Sequence, residues 1–184
     1  MAWWVFVIIG VVALLLIYLV ALFNGLVRAN NKVKEAFSTM DVYLKKRWDL
    51  IPNIVETVKG YAAHEADVLR DVIAARSGAY DKMSDSEKIK ANQDLSGILG
   101  RLMAVAEAYP ELKANENFKD LSRELSKVEE DIANARKYYN AVVRIFNNKV
   151  EIFPNVIFAK MFGFSVKPMF EVEAGERENV KVKF

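Results

Sequence analysis

The stretch "DLIPNIVETVKGYAAHE", Asp49–Glu65, decides how the chain is divided into helices, and it contains the only histidine. Asp49 suits an N-cap, where a carboxylate accepts from free backbone N–H groups and faces the positive end of the helix dipole. Pro52 suits a first helical turn, where its missing N–H costs nothing. The stretch therefore predicts a helix opening at Asp49. Val55, Val58, Ala62, Glu65, Leu69 and Val72 then recur at three–four spacing, the period of one helix face. The pattern fades at "RSGAYD", where Gly78 permits a stop.

The same period continues on both sides. Upstream, Leu26, Val33, Phe37, Met40 and Leu44 form a stripe interrupted by Asn30, and Gly25 in "FNGL" offers a hinge. Downstream, Ser84 and Glu87 in "SDSE" fit a capping box, followed by a stripe of Leu95, Ile98, Leu102, Val105 and Tyr109. Pro110 kinks or ends that helix, and "ELKANEN" makes the connection. From Phe118 through Leu121, Leu125, Val128, Ile132, Ala135, Tyr139 and Val142 to Phe146 the steps alternate without a slip, a heptad seam that breaks at Pro154. Short connections make neighbouring helices antiparallel. The predicted fold is all-α: an up-and-down four-helix bundle over residues 26–151, preceded by an anchor over 1–25 and followed by a C-terminal segment over 152–184.

The anchor is "WWVFVIIGVVALLLIYLVALF", Trp3–Phe23, which has no charge. It gives about 31 Å of helix, the thickness of a hydrocarbon core, with Trp3 and Trp4 at one end, where amphipathic rings favour the interface. No cleavage site follows it, and the run is too long for a signal peptide. Arg28, Lys32, Lys34, Lys45, Lys46 and Arg47 come after it, so the positive-inside rule predicts a single-pass protein of the inner membrane with its body in the cytoplasm. With 26 basic and 24 acidic residues there is no field to attract nucleic acid. The lack of cysteine excludes disulfides, thiol catalysis and iron–sulfur clusters.

Several motifs together resemble the LemA family: "NGLVRANNKVKEAFS", "DVYLKKRWDLIPNIVETVKGYAAHE", "AEAYPELKAN", "ARKYYN", "NNKVEIFP" and "KPMFE". The resemblance spans nearly the whole chain. It implies a single-pass bacterial membrane protein with a helical-bundle body and no established activity. It also implies a setting shared with HtpX-type membrane proteases and, in one branch, with magnetosome membranes.

Chemistry-bearing constellations are few. A zincin helix needs a second histidine four residues after His64, and that position is Val68. Glu56, Glu65 and Asp67 supply no Glu-x-x-His set, and no glycine-rich phosphate loop occurs. No catalytic, cofactor or metal residue is expected. Glu65 falls on an apolar stripe and needs a partner there. Asn30, Asn53, Glu65, Arg76, Arg136 and Asn140 are predicted to form a polar network fixing helix register. The alternative is a ligand- or metal-binding bundle using Glu65, His64 and Arg76. "KKRWDL", Lys45–Leu50, reads as a solvated turn remote from the membrane, or else as a docking point.

Four alternating passes return the chain near Val150 to the level of Phe23. The segment that follows, "IFPNVIFAKMFGF", carries Phe153, Phe158, Met161, Phe162 and Phe164. These, with Trp3 and Trp4, are the predicted membrane or partner contacts. The segment either lies at the bilayer or packs against a neighbouring subunit, or else it covers the bundle's own base. Beyond it "FEVE" and "VKVKF" pair as a hairpin if Glu171 faces Lys183 and Glu173 faces Lys181, and otherwise form a disordered tail. The functional expectation is a membrane-tethered, oligomeric scaffold without catalysis. The alternatives are an accessory of a membrane protease and a ligand carrier. Lipid, further copies of the chain and a membrane protein such as a protease are the expected partners.

Overall fold

A computed structural model describes residues 3–76 and 78–170. Regular structure among them is all helical. The helices are α1 (Trp3–Lys59), α2 (Ala66–Ala75), α3 (Asp85–Ala108), α4 (Pro110–Ala114), α5 (Glu116–Glu151) and α6 (Asn155–Met161), with a single 3-10 turn at Tyr80–Lys82. The proposed hairpin lies outside the described residues.

The helix predicted to open at Asp49 does not exist. Helix α1 runs uninterrupted through Pro52 to Lys59, so the apolar run and the first body helix are one element. Asp49 caps nothing; it accepts from Lys45 Nζ at 2.7 Å, one turn back. The chain breaks instead at Gly60–Glu65, inside the stripe expected to be continuous. There both Tyr61 and Ala62 donate to the Val58 carbonyl, a tightening typical of a helix end, and Gly60 is a poor helix former. Both flanks of the stripe stay buried, Val55, Val58 and Ala62 on one side and Leu69 and Val72 on the other.

The box at Ser84 is formed in both directions: Glu87 N–H donates to Ser84 Oγ, and Ser84 N–H donates to Glu87 Oε2 at 2.7 Å. Two bonds from Ser84 hold the Glu87 carboxyl below its ordinary range. Pro110 ends α3 and begins α4, a first-turn position. The α5 seam is buried at Phe118, Leu125, Val128, Ile132, Tyr139 and Phe146.

The chain divides into two compact units: a central one, Phe37–Lys137, and a terminal one, Met1–Ala36 with Tyr138–Phe184. In the central unit, contacts fix the helix directions. Asp41 meets Lys88 and Arg47 meets Asn92, so α1 and α3 run the same way. Asp71 pairs with Arg101 and Glu65 with Tyr109, so α2 opposes α3. Tyr61 meets Asn115 and Arg47 meets Glu129, so α5 opposes α1.

In the terminal unit, α5 ends beside Gly25 of α1: Lys149 Nζ donates to the Gly25 carbonyl at 3.2 Å. That is just past the apolar run, where counting passes puts it. The apolar part of α1 contains an 18-residue window of mean hydropathy 3.2, none of it buried. It is long and apolar enough to cross a membrane. Ordinary solvent exposure of such a surface is very unfavourable, at roughly 25 cal/mol per Å².

Candidate functional site

The polar centre of the central unit is Arg47, read from sequence as part of a solvated turn. It lies inside α1 and is fully buried. Its Nη2 donates to the backbone and side-chain oxygens of Asn92 at 2.6 and 2.7 Å. Its Nη1 donates to Ser96 Oγ and to Glu129 Oε1, each at 2.9 Å. One guanidinium thus ties α1 to α3 and α5. Asn92, also fully buried, donates back to the Lys88 carbonyl. A signal for Arg47 was present. Leu44, Trp48, Ile51, Val55 and Val58 continue the α1 stripe across Pro52, and Arg47 lies beside it.

Pro52 has no N–H, so the carbonyl four residues earlier, on Trp48, loses its helical donor. Arg76 Nε supplies the replacement at 3.1 Å. The Arg76 guanidinium also lies 5.8 Å from the Trp48 ring centroid, within cation–π range. A residue from the end of α2 therefore makes an interior proline tolerable in α1.

Next to this, Tyr80 donates to Asp41 Oδ1 at 2.7 Å, and Lys88 donates to Asp41 Oδ2 at 2.7 Å while lying over the Tyr80 ring. Burial, then the hydrogen bond to Asp41 and the charge of that carboxylate, push the Tyr80 phenol far above its ordinary range. An unfolded tyrosine titrates near pH 10. A raised folded pKa means that Tyr80's contribution is intact below about pH 10 and is lost as pH rises beyond it. In a spectrophotometric titration, Tyr80→Phe should leave the tyrosinate absorbance gained by about pH 11 unchanged, because Tyr80 contributes none of it.

Glu65 and Arg76, expected in one polar network, go to separate partners. Glu65 accepts from Tyr109 at 3.2 Å and Arg76 serves Trp48. Asn53 is exposed, and its backbone carbonyl accepts from Thr57 Oγ1. Asn30 and Arg136 are half-buried and His64 is exposed. The register contacts of the central unit run through Arg47 and Asn92 instead. Among the described residues no group of His, Cys, Asp and Glu is placed to hold a metal. The alternative set of Glu65, His64 and Arg76 is not convergent, because two of its members bind elsewhere.

Asn140 belongs to a different device, in the terminal unit. Its amide donates to the Phe170 carbonyl at 3.0 Å and accepts from the Phe170 N–H at 2.9 Å. Asn147 does the same for Lys167, at 2.9 and 2.8 Å. Between them Tyr139 donates to the Pro168 carbonyl at 3.1 Å. Seven residues of helix advance about 10.5 Å, and three extended residues about 10 Å. Each side-chain amide thus imitates a neighbouring strand, and the registers agree. Lys167 precedes a proline and is thereby biased to extended geometry. Tyr139 and Asn140 of "ARKYYN", Asn147 of "NNKVEIFP" and the stretch Lys167–Phe170, separate in the sequence, form this single clasp. Removing one amide costs two hydrogen bonds, about 2 kcal/mol net. In Asn140→Ala, amide exchange of the segment around Phe170 should therefore accelerate roughly 30-fold by mass spectrometry; unchanged exchange refutes the clasp.

The clasp is aimed by the end of α6. Phe164 N–H donates to Ala159 and Gly163 N–H to Lys160, and Gly163 has φ +76°. This is a Schellman stop, which needs a left-handed residue after the cap. Phe162 and Phe164 then pack edge-on against Phe23, with centroids at 4.9 and 6.2 Å, and Phe164 also meets Phe146. Phe158 is half-buried, whereas Phe153 and Met161 are 76% and 66% exposed, and Ile152 and Ile157 are also exposed. One face of the segment covers the base while the other stays open. Trp3 and Trp4 are exposed as well.

A family model, the LemA family, matches residues 36–184. The chain belongs to the LemA family. This LemA-family chain is 26% identical over 159 residues to Protein LemA of Metamycoplasma hominis, covering 85% of the chain and 72% of that protein. It is also 26% identical over 175 residues to Magnetosome protein MamQ 2 of Paramagnetospirillum magneticum, covering 81% and 64%. Its identity to Magnetosome protein MamQ of Magnetospirillum gryphiswaldense is 23% over 181 residues, covering 84% and 66%. The chain thus spans just under two thirds of the length of its magnetosome relatives.

Proposed function

We propose that this protein is a single-pass membrane scaffold that works through protein contacts, without catalysis. The observation that carries the reading is the apolar start of α1, unburied along a whole membrane-length window and continuous with a body helix. The kinship with magnetosome proteins agrees with a membrane setting. Cations after the span favour a cytoplasmic body. Exposed Val42 and Ile73 on the central unit are candidate contacts for other copies or for membrane partners.

The open face of α6 meets the bilayer surface in this reading. With Trp3→Phe/Trp4→Phe/Phe153→Trp in the full chain, reconstituted in phosphatidylcholine vesicles, brominated lipid should quench more of the fluorescence than in Trp3→Phe/Trp4→Phe, where Trp48 alone emits. Equal quenching removes the interfacial role. Photo-crosslinkers placed at Val42 and Ile73 in membranes should give discrete adducts. Uniformly uncrosslinked chains would refute the scaffold.

A further inference from the structure

A cleft of about 530 Å³ lies in the terminal unit between α1 and α5. Arg28 and Lys32 line it from α1, one turn apart, and Lys149 from α5; Val142, Ile145 and Phe146 supply an apolar wall. No carboxylate among the described residues lines it. Neither Arg28 nor Lys32 has a carboxylate ion-pair partner within 4.0 Å among the described residues. Arg28 and Lys32 are exposed, and Lys149 reaches the Gly25 carbonyl.

Distance from the apolar run identifies the occupant. Arg28 follows Phe23 by five residues, about 7.5 Å along the helix. The polar region of each leaflet is about 5–8 Å deep. Lys149, beside Gly25, is closer still. Arg28 and Lys149 therefore sit at headgroup depth, and Lys32, about 13.5 Å beyond Phe23, lies just outside it with its side chain directed back toward the N-terminus and the bilayer. Basic pockets at this level select anionic headgroups.

We propose that this cleft binds the phosphodiester of an anionic phospholipid. Arg28 engages the phosphate oxygens through its fork of donors, and Lys32 and Lys149 add point charges. The inference rests on the membrane anchor argued above.

The full chain in dodecylmaltoside would be titrated with phosphatidylglycerol or phosphatidylcholine and its bound lipid counted by native mass spectrometry. In parallel, it would be floated on pure phosphatidylcholine vesicles. Wild type should float and should retain phosphatidylglycerol over phosphatidylcholine. In Arg28→Gln/Lys32→Gln/Lys149→Gln that preference should fall roughly tenfold or more, since each cation near a surface is worth about fivefold. Lys82→Gln/Lys90→Gln/Lys127→Gln, carrying the same charge loss elsewhere, should keep it. So should Arg28→Lys/Lys32→Arg/Lys149→Arg, which preserves charge and controls for folding. Flotation without lipid preference, or a preference untouched in the first variant, overturns the cleft and leaves the anchor standing. Displacement of the lipid by equimolar inorganic phosphate overturns the lipid assignment. Failure to float overturns the anchor and the cleft with it.

Discussion

Arg47→Ala is expected to destabilise the protein by about 3 kcal/mol, toward the lower end for breaking a buried, hydrogen-bonded charge. The substitution removes the donor that satisfies Asn92, which has no access to water, and leaves a hole where the buried guanidinium stood. Glu129 moderates the loss: its side chain is 39% exposed and can turn to solvent. In thermal melts followed by circular dichroism, the midpoint should fall by roughly 6–12 °C. Arg47→Met, which fills most of the space, should lose less. Adding Asn92→Leu to Arg47→Met should recover part of the deficit, because a fully apolar replacement removes the orphaned amide as well. A midpoint unmoved in Arg47→Ala would show that the three-helix tie is not stabilising.

A second large effect is expected at Arg76, and it carries its own internal control. Arg76→Ala leaves the Trp48 carbonyl without a donor and removes the guanidinium from the Trp48 ring. The expected loss is about 2 kcal/mol, the cost of an unsatisfied, partly buried acceptor. Pro52→Ala restores an N–H four residues after Trp48, so the carbonyl regains a helical donor. In the Pro52→Ala background, Arg76→Ala should therefore cost less than about 1 kcal/mol, the remainder being the ring contact. The coupling is read from a double-mutant cycle of melting curves. Additive effects would mean that Arg76 does not compensate for the proline.

These two sites show where a one-dimensional reading stops. Proline at position 52 carries two local meanings, a helix start and an interior defect costing about 3 kcal/mol. Local physics favours the start, and Asp49 reinforces it. The choice is reversed by the guanidinium of Arg76, 28 positions from the Trp48 carbonyl it serves and docked by the turn after α2. Likewise, three cations in "KKRWDL" resemble a solvated turn until the helix continues through them. Then Lys45 and Lys46 find surface carboxylates on Asp49 and Glu124, and only Arg47 points inward. The asparagines behave the same way. An asparagine on a helix face gives no sequence sign of whether it meets solvent, as Asn53 does, or a backbone segment 30 residues on, as Asn140 does.

Features governed by contacts within a few residues were legible from the sequence alone. The apolar run from Trp3 to Phe23 follows from composition and length. The stripes of α1 and α5, the Ser84–Glu87 box and the stop before Pro154 follow from periodicity and from unpaired backbone groups at helix ends. The tertiary structure decided which breaks in those stripes are real, which charge lies at the centre, and which amides hold the segment from Lys167 to Phe170. Each of these depends on a partner distant in sequence whose hydrogen bond outweighs the local preference, and that partner is brought near only by packing.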